Sequence, residues 1–206
     1  MSAHISNVRL ERHRRLRVAI VSDTHGKLDP RVAAAVARHD CVIHAGDIGC
    51  AAVLDELSTR LDVRVAVRGN NDSPAKWPAA DRNILARLPD TARLRLPGGE
   101  VMVIHGHRAG PPAARHEFLR RAFTGSRLVI YGHSHLRVID REARPWIANP
   151  GAAGRTRAYG GPGLLSLTAT SKMWRLRSIV FDPTWSAPTH NPGDRAYPDR
   201  GTRQSK

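Results

Sequence analysis

Apolar residues in the first half of the chain fall into short runs that stop abruptly at polar residues. "LRVAIVSD" (16–23), "CVIHAGD" (41–47) and "DVRVAVRGNND" (62–72) are of this kind. Between the first two lies "DPRVAAAVARH", where Asp29 can cap a helix and Pro30 suits its first turn. "AAVLDELSTR" supplies a second helix before the third run. Short buried strands alternating with helices of about ten residues predict crossover connections and a parallel sheet. Strands running the same way bring Asp23, Asp47 and Asn70 to one sheet edge, where open α/β sheets place ligands.

The pattern changes after residue 90. "TARLRLPGGEVMVIHGH" predicts two strands around a Gly-Gly turn, and "PPAARHEFLRRAF" a helix with Phe118, Leu119 and Ala122 on one face. "RLVIYGHSH", "LRVIDREARPWIANPG" and the hairpin pattern "GLLSLTATSKMWRLRSIVF" make the second half β-rich. No fixed-period repeat interrupts residues 16–181. The fold class is therefore α/β, in one domain over 16–181.

Composition adds limits to this picture. The ends lack periodic apolar residues: 1–15 carry "RLERHRR", read as a basic arm, and 182–206 are rich in Pro, Gly and charge, read as a mobile tail. Cys41 and Cys50 are the only cysteines and no apolar leader follows Met1, which points to a reducing cytoplasm and no disulfide framework. No apolar run approaches the roughly 18 residues that span a bilayer, so no membrane partner is expected. The net charge of +15 asks for an anionic partner, nucleic acid among them. It comes from 29 arginines against 4 lysines scattered over every segment, with only 5% aromatics, which resembles a general compositional bias more than a base-stacking stripe.

Chemistry concentrates where strands stop. "SDTHG" (22–26), "AGDIG" (45–49), "RGNND" (68–72), "IHGH" (104–107) and "YGHSH" (131–135) present Asp23, His25, Asp47, Asn70, His105, His133 and His135. This oxygen and nitrogen set without thiolate suits divalent ions such as Mn²⁺, Fe²⁺, Zn²⁺ or Ni²⁺, Mn²⁺ foremost. It exceeds what one ion needs, so two ions sharing a carboxylate fit best. Two dications and two aspartates leave a formal +2, which an anionic ligand such as a phosphoester would meet. Isolated histidines at strand ends are usually satisfied polar residues; turn chemistry alone gives no reason for five such motifs in succession.

In that order, "DTHG", "GD", "GNND", "HGH" and "GHSH" resemble the calcineurin-like metallophosphoesterase superfamily, and the short chain with "GNND" is similar to its small bacterial and archaeal phosphodiesterases. "NPGAAGRTR" (149–157) resembles the family's "NPGS" loop. The resemblance covers about residues 16–181. It implies two mixed β-sheets packed face to face and flanked by helices, an α/β/β/α sandwich. It further implies that Asp23, His25 and His135 hold one metal, that Asn70, His105 and His133 hold the other, and that Asp47 bridges.

Asn71 departs from many relatives, which place there a histidine paired with the following acidic residue, here Asp72. An amide cannot deliver a proton near neutral pH but can donate a hydrogen bond to a phosphoryl oxygen. The mechanism implied is in-line attack by a metal-bridging hydroxide, with Asn71 and Asp72 at the phosphate and His107 beside the leaving group. The expected activity is that of a metal-dependent phosphoesterase, a phosphodiesterase in preference to a monoesterase. Two alternatives stand beside it: a catalytically silent scaffold on the same fold, as the retromer subunit of this architecture is regarded, and a nucleic-acid-directed phosphodiesterase or nuclease. Arg155 and Arg157 are candidates to meet the substrate, with a solvated loop as their default.

Overall fold

A computed structural model describes residues 5–183. Five strands form one sheet: β2 (Arg15–Val21), β3 (Cys41–His44), β4 (Val63–Ala66), β10 (Gly163–Thr170) and β11 (Trp174–Val180), in the order β11-β10-β2-β3-β4. β2, β3 and β4 are parallel, as their alternation with helices requires, and β10 and β11 are antiparallel additions. Six strands form the other: β1 (Ile5–Arg9), β5 (Thr91–Leu96), β6 (Gly99–Ile104), β7 (Leu128–Ile130), β8 (Val138–Asp140) and β9 (Trp146–Asn149), in the order β1-β5-β6-β7-β9-β8. Both sheets are mixed.

Side-chain parity explains how the sheets stack. Leu16, Val18 and Ile20 of β2 point inward with Leu165 and Leu167 of β10, where they meet Leu94, Val101, Val103, Leu128 and Ile130 of the other sheet in one buried cluster. Each such side chain contributes roughly 1.5–3 kcal/mol by leaving water. The alternate residues Ala19 and Val21 face outward onto Val32 and Val36 of α1 (Pro30–Val36). Asp29 caps that helix, its carboxylate accepting from Arg31 N at 2.9 Å. α2 (Ala51–Glu56) and α3 (Arg82–Arg87) share a cluster with Ile48 and Trp77, and α4 (Arg115–Ala122) lies on the six-stranded sheet through Leu119. The architecture is the expected face-to-face pair of mixed sheets with helices outside.

Two expectations need correction. Residues 5–9 are not an arm: β1 pairs in parallel with β5 from Ile5↔Thr91 to Arg9↔Arg95, and Val8 and Leu10 pack against the core. Asn7 and Arg9 face out between them, so this is an edge strand whose charged outer face disguised it, and Arg15 already belongs to β2. Residues 1–4 of that arm, and the tail from 184 to 206, lie outside the described residues. In α4 the buried positions are Arg115 and Leu119, while Phe118 is exposed. Ala122 is exposed as well, because the helix turns its 115/119 stripe to the sheet.

α4 is tied to β8 by charge. Arg120 donates to Asp140 Oδ1, and His116 Nδ1 lies 2.7 Å from Asp140 Oδ2. The Arg120 bond, with His116 adding to it and burial opposing, brings the Asp140 carboxyl down to about 2. A carboxyl depressed in the folded state stabilises above its unfolded pKa of about 4, and this stabilisation is lost as pH falls through the folded value. Asp140→Asn is therefore expected to lower Tm by about 2–5 °C at pH 7 in thermal melts followed by circular dichroism, with the gap to the parent closing between about pH 4 and pH 2. A gap that stays constant over that interval contradicts the assignment.

Candidate metal centre

The parallel strands deliver their ends to one place, and the backbone there is bent out of its ordinary range. Asp23 (φ 54°), His25 (48°), Asp47 (56°), His133 (68°) and His135 (57°) all occupy the left-handed region, each a residue with a Cβ. Such a conformation costs on the order of 1–2 kcal/mol per residue, and it persists only where surrounding structure imposes it. Here the imposing structure is a seam between loops: Asp23 N donates to Gly46 O at 3.0 Å, His25 N to Asp47 O at 2.9 Å and Gly26 N to Ile48 O at 2.7 Å. Within the six-stranded sheet Gly132 N donates to His105 O at 3.0 Å, and the two sheets are joined by His133 N donating to Asp23 Oδ1 at 3.1 Å.

Seven side chains converge there. His25 Nε2 and His135 Nε2 lie 3.1 Å apart, and His135 Nε2 is 3.5 Å from Asp23 Oδ1. Asn70 Oδ1 lies 3.1 Å from His105 Nε2 and 3.0 Å from His133 Nδ1. Asp47 reaches both groups, its Oδ2 being 3.3 Å from His105 Nε2 and 3.8 Å from His25 Nε2. Asp23, His25 and His135 offer ligand atoms that all lie within 4.8 Å of one another, and so do Asp23, Asp47 and His105.

Close packing behind these groups holds them in place. A Cβ at Gly69 would sit 2.1 Å from Asp47 Oδ1, and one at Gly132 would sit 2.0 Å from Ser22 Oγ, so both loops need glycine for approach. His105 Nδ1 lies 2.8 Å from the Ala45 carbonyl. A carbonyl only accepts, so that nitrogen carries a proton; Nε2 faces the acceptor oxygens of Asp47 and Asn70, donating to them when protonated and free to offer its lone pair to a cation once that proton is lost. His44 is read the same way: Gly46 N donates to its Nδ1 at 3.2 Å, leaving Nε2–H for Thr24 Oγ1 at 2.9 Å. His44 is thus a buried strut between two metal-site loops and not a ligand.

The electrostatics is that of a site lacking positive charge. Burial raises the Asp23 carboxyl to about 7, and its Oδ2 is buried with no hydrogen-bond partner, as is His135 Nδ1. Burial alone would also raise Asp47, but His105 and Asn71 hold it well below the carboxylate range. Burial lowers His25, His133 and His135, the last to about 4 with the Arg157 guanidinium adding to it, which leaves neutral imidazoles with free lone pairs. Buried carboxylates, orphaned polar atoms and neutral imidazoles without thiolate fit divalent cations.

The other expected site residues divide. Asn71 is at the site, but both its backbone N and its Nδ2 donate to Asp47, at 2.8 and 2.7 Å, and its Oδ1 accepts from Lys76 Nζ. Asp72 is not available for chemistry. Its carboxylate accepts from Ile48 N, Gly49 N, Gly69 N and Trp77 Nε1, all at 2.8–3.1 Å, so it ties the Asp47 and Asn70 loops together from behind. That finding replaces the expected catalytic role with a positioning one. His107 stands at the rim, its ring centroid 5.6 Å from that of His105 and 6.3 Å from that of His133. It lines a pocket of about 150 Å³ with His105, Ile104, Arg108 and Asp90. Arg157 reaches the site, 3.4 Å from His135 Nε2, whereas Arg155 donates to Asp29. Cys50 Sγ donates to Gly26 O at 3.7 Å, and Cys41 is buried in the core.

Sequence reading missed Asn149. Fully buried, it donates to Gly132 O at 2.7 Å and Ser134 Oγ at 3.0 Å and accepts from Gly151 N at 2.8 Å, clamping the His133–His135 loop. The signal was present in "NPG", which drew attention to the glycine and not to the asparagine.

Residues 16–172 match the family model described as the calcineurin-like phosphoesterase superfamily domain. Among curated proteins, none matches the chain in sequence. Among solved structures, the chain is similar to an archaeal protein described as a novel phosphodiesterase, with 26% identity, 81% of this chain and 100% of that one covered, and a TM-score of 0.58. It is also similar to a conserved uncharacterized protein and predicted phosphoesterase from Streptococcus pneumoniae, with 17% identity, 81% and 90% covered, and a TM-score of 0.59. Vps29 from Entamoeba histolytica in complex with zinc shows 16% identity, 81% and 100% covered, and a TM-score of 0.53. At the last two identities the likeness speaks to the fold.

The left-handed backbone makes a prediction independent of any ion. Removing the His133 side chain as His133→Gly relieves the strain, while His133→Ala retains it, so the glycine variant is expected to be the more stable by about 1 kcal/mol in metal-free denaturation curves. An alanine variant at least as stable as the glycine one contradicts the strain.

Proposed function

As a member of the calcineurin-like phosphoesterase superfamily, the chain is one for which we propose metal-dependent hydrolysis of phosphoesters, with phosphodiesters as the preferred class and two divalent ions as cofactors. The observation that carries this reading is the convergence of the seven ligand groups at one place, with Asp47 reaching His25 of one triad and His105 of the other. The similarity to an archaeal phosphodiesterase supports the choice of diesters. Asp23, His25 and His135 would hold one ion and Asn70, His105 and His133 the other, with Asp47 shared. Mn²⁺ is the proposed ion, before Fe²⁺, Zn²⁺ or Ni²⁺, and the cytoplasm the proposed compartment. Among the described residues no helix is long and apolar enough to cross a membrane.

Bound there, divalent ions would supply Lewis acidity, activating water as the nucleophile and neutralising charge on the phosphoryl oxygens. The rest falls to the chain. Asn71 fixes the rotation of the Asp47 carboxylate through two hydrogen bonds, and Asp72 fixes the loop that carries Asn71. Arg157 places a guanidinium beside His135, where a phosphoryl oxygen would be bound and oriented. His107 borders the pocket next to His105 and is the one imidazole there outside the ligand set, so it is placed to hand a proton to a leaving group.

Bis-p-nitrophenyl phosphate tests the reading. Turnover by the native protein is expected to vanish with a chelator, to return with Mn²⁺, and to fall about a hundredfold or more in Asp47→Asn. His107→Ala should slow esters with poor leaving groups and spare p-nitrophenol esters; equal loss on both removes His107 from proton transfer. Native protein that shows no metal-dependent turnover on any ester favours the scaffold reading instead.

A further inference from the structure

The outer face of the five-stranded sheet changes character along its length. Toward the metal centre it carries Ala19, Val21 and Leu164, covered by α1. At the opposite end of β2, outside that apolar cluster, the same face carries arginine and hydroxyl residues. Arg15 and Arg17 on β2 and Arg175 and Arg177 on β11 stand on either side of Ser166, Thr168 and Thr170 of β10, and together they line a groove of about 480 Å³. Register confirms the layout: Thr168 pairs with Arg17 on one side and Arg175 on the other, and Thr170 pairs with Arg15.

Many of the other described arginines answer an acid or a carbonyl. Arg31 pairs with Asp29, Arg64 with Asp62, Arg68 with Asp90 and Arg120 with Asp140. Among the described residues, no carboxylate lies within ion-pair distance of the guanidinium groups of Arg15, Arg17, Arg175 or Arg177. Asp40, the acid bonded to the Arg17 backbone, accepts from Arg17 N and faces Arg60. Along each strand the two arginines are about 7 Å apart, and the two rows are about 10 Å apart across β10. The spacing along each strand is within the Debye length of about 8 Å at physiological salt and the spacing across β10 slightly exceeds it, so the arginines repel one another most strongly along each strand until an anion enters.

We propose that this groove binds the phosphate backbone of a single-stranded nucleic acid, at a surface separate from the metal centre. Arginine and threonine are common partners of phosphate oxygens, and such contacts position a strand without reading its sequence. Among the described residues no aromatic side chain lines the groove, so the site offers no base stacking and no base preference. Two parallel rows of charge with a trough between them follow a linear polyanion of regular repeat. A bilayer plane would meet only the rims. The site lies at the start of β2, six to eight residues or about 20 Å from Asp23 at its end, and the proposal does not depend on turnover.

Fluorescence anisotropy with a labelled oligothymidylate of about 20 nucleotides, on the full chain at about 50–200 mM salt, tests it. Arg175→Gln/Arg177→Gln is compared with Arg38→Gln/Arg87→Gln, which removes the same charge from exposed helix ends. The groove pair is expected to weaken binding about tenfold or more and to reduce the log–log salt slope by about 1.4, with the control pair within about twofold of native. Melting temperature and ester turnover, which neither pair should move, exclude misfolding. Equal effects from both pairs, or no native binding at about 50 mM salt, overturn the proposal. So does binding of poly-glutamate or phosphatidylserine vesicles as tight as that of the oligonucleotide and lost in the same groove pair.

Discussion

The carboxylate of Asp47 is the point on which the two halves of the molecule agree. It stands at the end of β3 in one sheet yet lies 3.3 Å from His105, which ends β6 in the other. It is set there by two donors from Asn71 and by a glycine at 69 that leaves no room for a Cβ. Left-handed backbone at five ligand positions is the cost of turning strand ends inward, and the extended core between the sheets is what sustains it. The arrangement is built against its own local preferences, as functional sites commonly are.

Much of this was legible because the chemistry sits at abrupt ends of apolar runs. A histidine or aspartate directly after a buried strand has its place in the fold fixed by the strand, so "SDTHG", "AGDIG" and "YGHSH" announced both position and type. The parallel order of β2, β3 and β4 followed from the helices between them. What remained hidden depends on which way a side chain turns. Asp72 and Asn71 are adjacent polar residues on one loop, but one faces the backbone amides behind it and the other faces Asp47. Asn149 was obscured by its neighbours, Phe118 by a helix too short to fix its face from the sequence, and β1 by charges that belong to an exposed edge.

Charge illustrates the difference between composition and placement. The +15 excess, counted along the chain, resembles a bias spread over every segment. In space, many of the described arginines pair with nearby acids or carbonyls, while four without an acid partner lie together on one stretch of sheet beyond the apolar cluster that α1 covers. Cross-strand register sets residue 17 level with 175 across β10, with 15 and 177 one step to either side, a proximity that no window along the sequence can show.

The central claim is that seven side chains from both sheets form one centre for two cations around Asp47. Anomalous scattering from crystals equilibrated with Mn²⁺ tests it most directly. Two peaks are expected, one beside Asp23, His25 and His135 and one beside Asn70, His105 and His133, with Asp47 contacting both. A single peak that Asp47 does not touch, or no peak at all among these residues, would contradict it.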